Sequence, residues 1–498
     1  MVFSSTIFIF LFLPICLTGY YLINPKYQNV FLLIMSLLFY AWGEPQFVLV
    51  LIISIFLNYW FAIFISKNMN SPIKNIFVVL MLVYNLGVLF VFKYLNFAIG
   101  SINTITGARL MIPGIALPIG ISFFTFQAIS YVLDVAFGKV KEQKNILNLA
   151  LYIAFFPQLI AGPIVRYNSI EEQINNRAST RELFAEGVKR FVVGLSKKII
   201  LSNMIATLSD TVFAMQYEQR TILMAWMGVI AYCLQLYFDF SGYSDMAIGL
   251  GKMFGFSFEE NFNYPYISKS IVEYWSRWHI SLGQWLRDYL YTPVFRSVID
   301  KKNIITKNKI GLAGADLTAL FITWIFAGIW HGAGWNYILY GLYYFAFIAL
   351  ERQIESYQKR RRKRLKIKKK VNDTVFQSVF KHLYTLFVVC FGQLLFKSSS
   401  VHDALYSIKA MFGGYGNSIL DIQTVRVLRE YRILLPLCII LCTPIIQALS
   451  TQVRKKLYRY NVISCLNVVS QLIYIALFIV AVSYTVTSTY NPFIYFNF

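Results

Sequence analysis

The stretch WIFAGIWHGAGWNYILYGLYY, Trp324 to Tyr344, decides how the rest of the chain is read. Nearly all of it is apolar or aromatic, as in a segment that lies in lipid, yet it breaks at His331-Gly332-Ala333-Gly334. The chain has four histidines, and one of them stands at this break, between Trp330 and Trp335. The arms on either side, 315–330 and 336–350, are each roughly 24 Å long as helix. The hydrocarbon core of a bilayer is roughly 30 Å thick. The spacing therefore predicts a helical hairpin whose tip holds His331 inside the membrane. Gly332 and Gly334 are read as the residues that permit the reversal, and Trp330 and Trp335 as rigid apolar walls beside it.

The sequence outward from that hairpin is of the same kind. Of 498 residues, 57% are hydrophobic, 17% aromatic and only 14% charged, and the mean hydropathy is +0.57. Soluble domains carry roughly 25% charged residues. So apolar a chain cannot cover a soluble surface, and the expected fold class is an all-α polytopic integral membrane protein. The net charge of +23 does not point to nucleic acid. The basic residues cluster between apolar segments, at Lys67/Lys74, Lys139–Lys144, Lys301–Lys309, Lys359–Lys370 and Arg454–Lys456. That is the positive-inside pattern of cytoplasmic loops facing anionic headgroups. The six cysteines are scattered with no disulfide framework or zinc spacing, so no metal site is expected.

Apolar segments long enough to cross occur near 3–22, 28–43, 47–66, 75–95, 112–137, 188–214, 220–240, 375–396, 433–450 and 466–488. Shorter or broken ones lie at 148–165, 241–256, 264–295 and in the 315–350 pair. About eleven to thirteen membrane-embedded elements are expected. They form one multi-pass domain over 1–498, with a core at roughly 112–350 and a basic cytoplasmic loop at 351–374. The segment 398–432 has room for a short helix or two. Alternation from the basic loops places both termini outside the cytoplasm. The start of the chain, uncharged before Lys26, reads as a retained first span.

The central segments mix Gly, Pro and ionisable residues into membrane-compatible sequence, as in LPIGISFFTFQAISYVLD, FFPQLIAGPIVRY and YFDFSGYSDMAIGLGKMFGF. Broken helices at membrane depth survive only inside protein or beside a water-filled cavity, and ionisable residues there mark function by default. Arg166, Asp239 and Asp245 are of this kind; for the two aspartates the alternatives are a substrate or histidine contact, or a structural ion pair. In VEYWSRWHISLGQWLRDYL, helical spacing puts Trp275, Trp278, His279, Leu282, Trp285, Leu286 and Tyr289 on one face. Arg277, Ser281, Gln284 and Asp288 fall on the other. The expectation is an amphipathic helix with His279 pointing into the protein.

Two inward histidines carry a chemical meaning, because an imidazole can take a proton from a hydroxyl. Backbone N–H groups of the glycine turn near His331 are candidates to stabilise a developing oxyanion. The alternative for His279 is a buried, hydrogen-bonded structural histidine. His382 and His402 read as bland. His331 and His279 are the candidate catalytic residues. Trp330, Trp335, Asn336, Asp245 and Arg166 are the candidate substrate contacts.

WHGAGWNYILYGLYY, YWSRWHISLGQWLRDYLY, YFDFSGYSDMAIGLGKMFGF, FFPQLIAGPIVRY and the terminal NPFIYFNF together resemble the membrane-bound O-acyltransferase family. The likeness is greatest to its bacterial alginate O-acetyltransferase branch, which includes proteins that acetylate peptidoglycan. The resemblance covers nearly the whole chain. It implies a ring of helices around a thin core, with His331 as the recessed catalytic histidine and His279 as the second family histidine. It implies acetyl-CoA as donor substrate, with no tightly bound cofactor, and a polysaccharide acceptor. It also implies a separate extracytoplasmic esterase-fold acetyltransferase as partner, and location in the bacterial inner membrane. Relatives often carry His-Gly where this sequence has Tyr344-Phe345, which bears on whether alginate is the acceptor. The D-alanine-exporting branch is the rival within the family, and a transporter without chemistry is the rival outside it.

Overall fold

The computed structural model describes residues 1–299, 311–365, 373–458 and 463–487, and every regular element among them is a helix. The basic loop Lys301–Lys309, residues 366–370 of the basic run and the terminal NPFIYFNF lie outside the described residues. Seven described helices are long and apolar enough to cross a membrane: Val48–Lys67, Ile73–Thr106, Arg181–Ala214, Ile222–Met253, Leu312–His331, Val375–Lys397 and Asn467–Thr487. An eighth span arises if Leu434–Leu441 and the helix after it, bent by 69°, count as one. The single straight span expected at 433–450 is thus a broken one. Phe8–Leu22 and Ile121–Ala136 are apolar but shorter.

Contacts cluster into two compact units, each discontinuous in sequence. The first comprises Met1–Ile200, Asp239–Glu260 and Ile473–Phe498; the second comprises Leu201–Phe238 and Asn261–Leu472.

In the first unit, Phe3, Phe8, Phe12, Phe39 and Phe156 form one aromatic cluster, with neighbouring ring centroids 5.0–6.3 Å apart. Every residue of Ile121–Ala136 is buried. Two helices pack backbone to backbone through glycines. A Cβ on Gly187 would lie 2.6 Å from the Gly249 carbonyl oxygen, and one on Gly194 would lie 2.5 Å from that of Gly242. Each helix carries its two glycines one heptad apart, so the backbones touch at two successive levels. This explains why the segments 220–240 and 241–256 are one continuous helix, Ile222–Met253. Its glycines accommodate a neighbour and do not break it.

Ionic contacts fill the same region. Lys198 Nζ and Asp239 Oδ1 are 2.5 Å apart, and both side chains are almost fully buried. Asp245 is held by Arg190 at 2.7 Å and Lys197 at 2.7 Å, and Arg190 also reaches Glu260 at 2.5 Å. Both aspartates therefore make structural ion pairs. Such pairs are weak evidence for net stability, but breaking one is costly.

In the second unit, Leu312–His331 and Trp335–Arg364 form the expected hairpin. The Cα of Gly341 lies 3.2 Å from where a Cβ on Gly328 would stand, so the two arms are in backbone contact. The second arm continues as helix to Arg364, where a basic loop from 351 was expected. Its charged residues are good helix formers, and Glu355 and Lys359 pair across one turn at 2.8 Å. The segment 398–432 holds two short helices, Val401–Met411 and Ile422–Glu430, capped by the side chains of Ser400 and Asp421.

Replacing Gly194 or Gly249 by Leu inserts a side chain where backbone now sits. Overpacking of this kind costs roughly 1–3 kcal/mol or more. Each variant is expected to lower the thermal transition of the purified protein clearly, with Ala at the same site intermediate. Transitions unchanged from wild type would show that the helices do not meet at these glycines.

Candidate active site

Asn261 to Asn263 form a strap that remakes the predicted amphipathic helix. The Asn263 N–H donates to the Arg277 carbonyl at 2.9 Å, and the Ile280 N–H donates to the Asn261 carbonyl at 2.9 Å. The Arg277 guanidinium bonds the Asn263 carbonyl at 3.1 Å. With those backbone groups taken, the helix cannot run through. It divides into Ile271–Arg277 and Ile280–Leu286, followed by a π-helical turn Arg287–Tyr291. His279 lies between them with φ 45° and ψ 55°, in the left-handed region. Among the described residues, Tyr264 and His279 are the non-glycine residues with positive φ. Such a conformation costs of order 1–3 kcal/mol and persists only when its surroundings impose it. The one-helix reading of 272–290 is corrected accordingly, and Ser281, assigned to its polar face, is buried.

His279 is 1% exposed. Its Nδ1 lies 3.1 Å from Asn261 Oδ1. The same oxygen receives the Ser281 backbone N–H at 3.2 Å and the Ser281 hydroxyl at 2.9 Å.

His331 is the last residue of Leu312–His331 and is 3% exposed. Its ring packs edge-on against Trp330, Tyr340 and Phe396, with centroids 4.8, 5.4 and 5.2 Å away. The Trp330 ring also lies 5.9 Å from that of His279, so one indole touches both imidazoles. The turn glycines act differently from expectation. Gly332 has φ 178° and Gly334 φ −164°, extended values open to any residue. Their need is for space: a Cβ on Gly332 would enter the Tyr337 ring, and one on Gly334 would lie 2.5 Å from Asn336 Oδ1. The Gly332 N–H, a candidate oxyanion donor, bonds the Ile329 carbonyl at 3.2 Å.

The two histidines line one cavity of about 390 Å³ with Trp275, Trp324, Arg287 and Arg352. Arg352 and the Tyr291 hydroxyl both donate to Asp316 Oδ1. Asp316 and His331 stand near opposite ends of Leu312–His331, about 22 Å apart along the helix axis. The cavity walls thus run from an arginine-bearing region to the imidazoles, with tryptophan faces between. Among the described residues, no three His, Cys, Asp or Glu side chains gather as metal ligands would.

The remaining sequence candidates fall elsewhere. Trp335 is 58% exposed, so it is not a wall of the histidine pocket. Asn336 is buried, and its amide donates to the Ser398 carbonyl at 2.9 Å, tying the hairpin tip to the end of Val375–Lys397. Asp245 and Arg166 belong to the first unit. Asp245 is engaged by its two cations, and Arg166 opens the helix Tyr167–Asn175. Tyr344 is fully buried, edge-on to Trp275 with centroids 4.9 Å apart.

Sequence reasoning passed over Asn261, Arg287 and Arg352. For Arg352 a signal was present: Asp316 and Arg352 are equidistant from Gly334, so a hairpin turning there sets them opposite each other. For Asn261 there was none, because its role exists only once the strap closes.

Comparison with known proteins gives this geometry a family. The family model of the membrane-bound O-acyltransferases matches residues 139–393. The probable alginate O-acetylase AlgI of Pseudomonas aeruginosa is 41% identical over 417 residues, covering 83% of this chain and 75% of that protein. The peptidoglycan O-acetyltransferase of Helicobacter pylori is 31% identical over 451 residues, covering 84% and 81%. The teichoic acid D-alanyltransferase of Bacillus subtilis is 31% identical over 291 residues, covering 57% and 69%. A multi-pass helical chain with two buried imidazoles in one cavity, matched in this way, belongs to the membrane-bound O-acyltransferase family and is an O-acyltransferase.

Proposed function

We propose that this O-acyltransferase moves an acetyl group from a cytoplasmic thioester, acetyl-CoA, towards a polysaccharide hydroxyl outside the cytoplasmic membrane. The observation that carries the reading is the single cavity joining His279 and His331 to Arg287 and Arg352. A long donor with phosphates at one end and a thioester at the other matches such a space: guanidinium groups pair with phosphate, and the thioester reaches the imidazoles. The acetyl reading is supported by relatives named as alginate and peptidoglycan O-acetylases, which align over more than four-fifths of this chain. The D-alanyltransferase aligns over 57%. The transport alternative gives no role to paired histidines in a family of acyltransferases.

In the proposed chemistry His331 is the general base and His279 assists. The imidazole takes the acceptor hydroxyl's proton as its oxygen attacks the thioester carbonyl. The new C–O bond forms, the C–S bond breaks, and the proton passes to the departing thiolate. No metal is needed, because a thiolate is a good leaving group. Trp275 and Trp324 line the cavity and Trp330 packs against both imidazoles, and these apolar surroundings strengthen electrostatic contacts within it. The final acceptor is alginate-type exopolysaccharide or peptidoglycan, and the hydroxyl acylated in this step belongs to an extracytoplasmic esterase-fold acetyltransferase, which completes the transfer to the glycan. The basic clusters support a cytoplasmic membrane location with both termini outside.

In a deletion strain complemented with His331→Ala, ester-linked acetate on one extracellular glycan should be absent while the protein accumulates normally in the membrane. Measuring exopolysaccharide and peptidoglycan separately names the acceptor; acetate at wild-type levels on both would sink the assignment. Ala327, which lines the cavity one turn before His331, gives a second test. Ala327→Phe fills the space while leaving both histidines in the sequence. It should lower kcat/KM for acetyl-CoA more than 10-fold with the thermal transition kept. An unchanged kcat/KM would remove the donor from this cavity.

A further inference from the structure

We infer that Asn261 is the positioning residue of this site: it holds His279 in the Nδ1–H form, so that His279 presents an acceptor nitrogen, Nε2, to the cavity. The catalytic meaning rests on the acyl-transfer reading above, but the tautomer follows from geometry alone.

The orientation of the Asn261 amide is decided by a group that has no choice. The Ser281 backbone N–H can only donate, and it points at the Asn261 side chain at 3.2 Å. The amide atom there must be oxygen, since a flipped NH₂ would set donor against donor. That oxygen is also what His279 Nδ1 faces at 3.1 Å. An amide oxygen only accepts, so Nδ1 must carry the hydrogen. In a neutral imidazole the proton then leaves Nε2 with its lone pair.

Three further observations support the assignment. Asn261 is 0% exposed, so water does not compete for the bond. The Asn261 carbonyl takes the Ile280 N–H at 2.9 Å, so one residue holds the backbone after His279 as well as its ring. The left-handed backbone at His279 is the strained point of the segment, and strain of this kind collects where a side chain must be aimed. His279 lines the cavity and Asn261 does not, which turns the Nδ1 edge away from the cavity and leaves the Nε2 edge towards it.

The consequence is directional. Through Nε2, His279 can receive a proton or a hydrogen bond from an acceptor hydroxyl, but it cannot donate one until it has received one.

The test is nitrogen NMR of the full-length protein, labelled with ¹⁵N-histidine, in lipid nanodiscs. With four histidines in the chain, each pair of ring signals can be assigned by its loss in a single His→Gln variant. In wild type, the His279 signals should be those of a protonated Nδ1 and an unprotonated Nε2. Asn261→Leu should move the population to the Nε2–H form. It should also lower kcat by roughly 100-fold or more, with donor KM little changed, as loss of a tautomer-setting partner does elsewhere. Asn261→Asp, which keeps an acceptor oxygen, should retain the Nδ1–H signal. A protonated Nε2 in wild type, or an unchanged tautomer in Asn261→Leu, overturns the proposal. If Asn261→Leu does not fold, the wild-type and Asn261→Asp spectra still decide it. Because the tautomer is read without turnover, failure of the acetyl-transfer reading would leave these spectra unaffected.

Discussion

Backbone polar groups buried in a membrane protein must find their partners within the protein, and both histidines stand where that demand is met by local exchange. At His279 the helix gives up its own bonding, and the strap 261–263 supplies replacements on both sides of the break. At His331 the helix ends, the Gly332 N–H folds back to Ile329, and Asn336 binds the Ser398 carbonyl. A helix end is where a side chain can project along a new direction without leaving an orphaned amide nearby. The placement of the two imidazoles is therefore a consequence of how two helices are allowed to stop.

Close packing makes those stops rigid. The hairpin arms meet at Gly328 and Gly341, and in the other unit Gly187, Gly194, Gly242 and Gly249 let two helices touch through their backbones. Without a solvent-driven hydrophobic force between helices in lipid, such contacts and buried polar pairs provide much of the association. The ion pairs Lys198–Asp239 and Asp245 with Arg190 and Lys197 belong to this framework. Charge buried within membrane-compatible sequence supports the scaffold in that unit. In the cavity of the other, aromatic rings surround the imidazoles, while Arg287 and Arg352, each paired with an aspartate, bring guanidinium groups to the wall.

Much was legible without coordinates. Composition excluded a soluble chain, apolar length located most spans, and the rare histidine at the break of WIFAGIWHGAGWNYILYGLYY marked the hairpin and its tip. These readings succeed because they depend on local quantities: hydropathy, helical rise and the spacing of turn residues. The errors share one cause. The stretch 241–256 was read as a shorter or broken segment because a glycine looks the same whether it ends a helix or admits a neighbour. Trp335 was taken for a wall because its side of the turn cannot be known before the turn is built.

The sequence by itself determined that this is a helical membrane protein and singled out His331 and His279 as its candidate catalytic residues, since rarity and helical period are properties of the chain. Only the tertiary structure decided which groups those histidines meet. The partner of His279 is eighteen residues away, and that of the hairpin tip is sixty-two. Hydrogen bonds are directional and reach about 3 Å. They form only after packing has brought distant backbone segments into register, and no pattern of local spacing encodes that register.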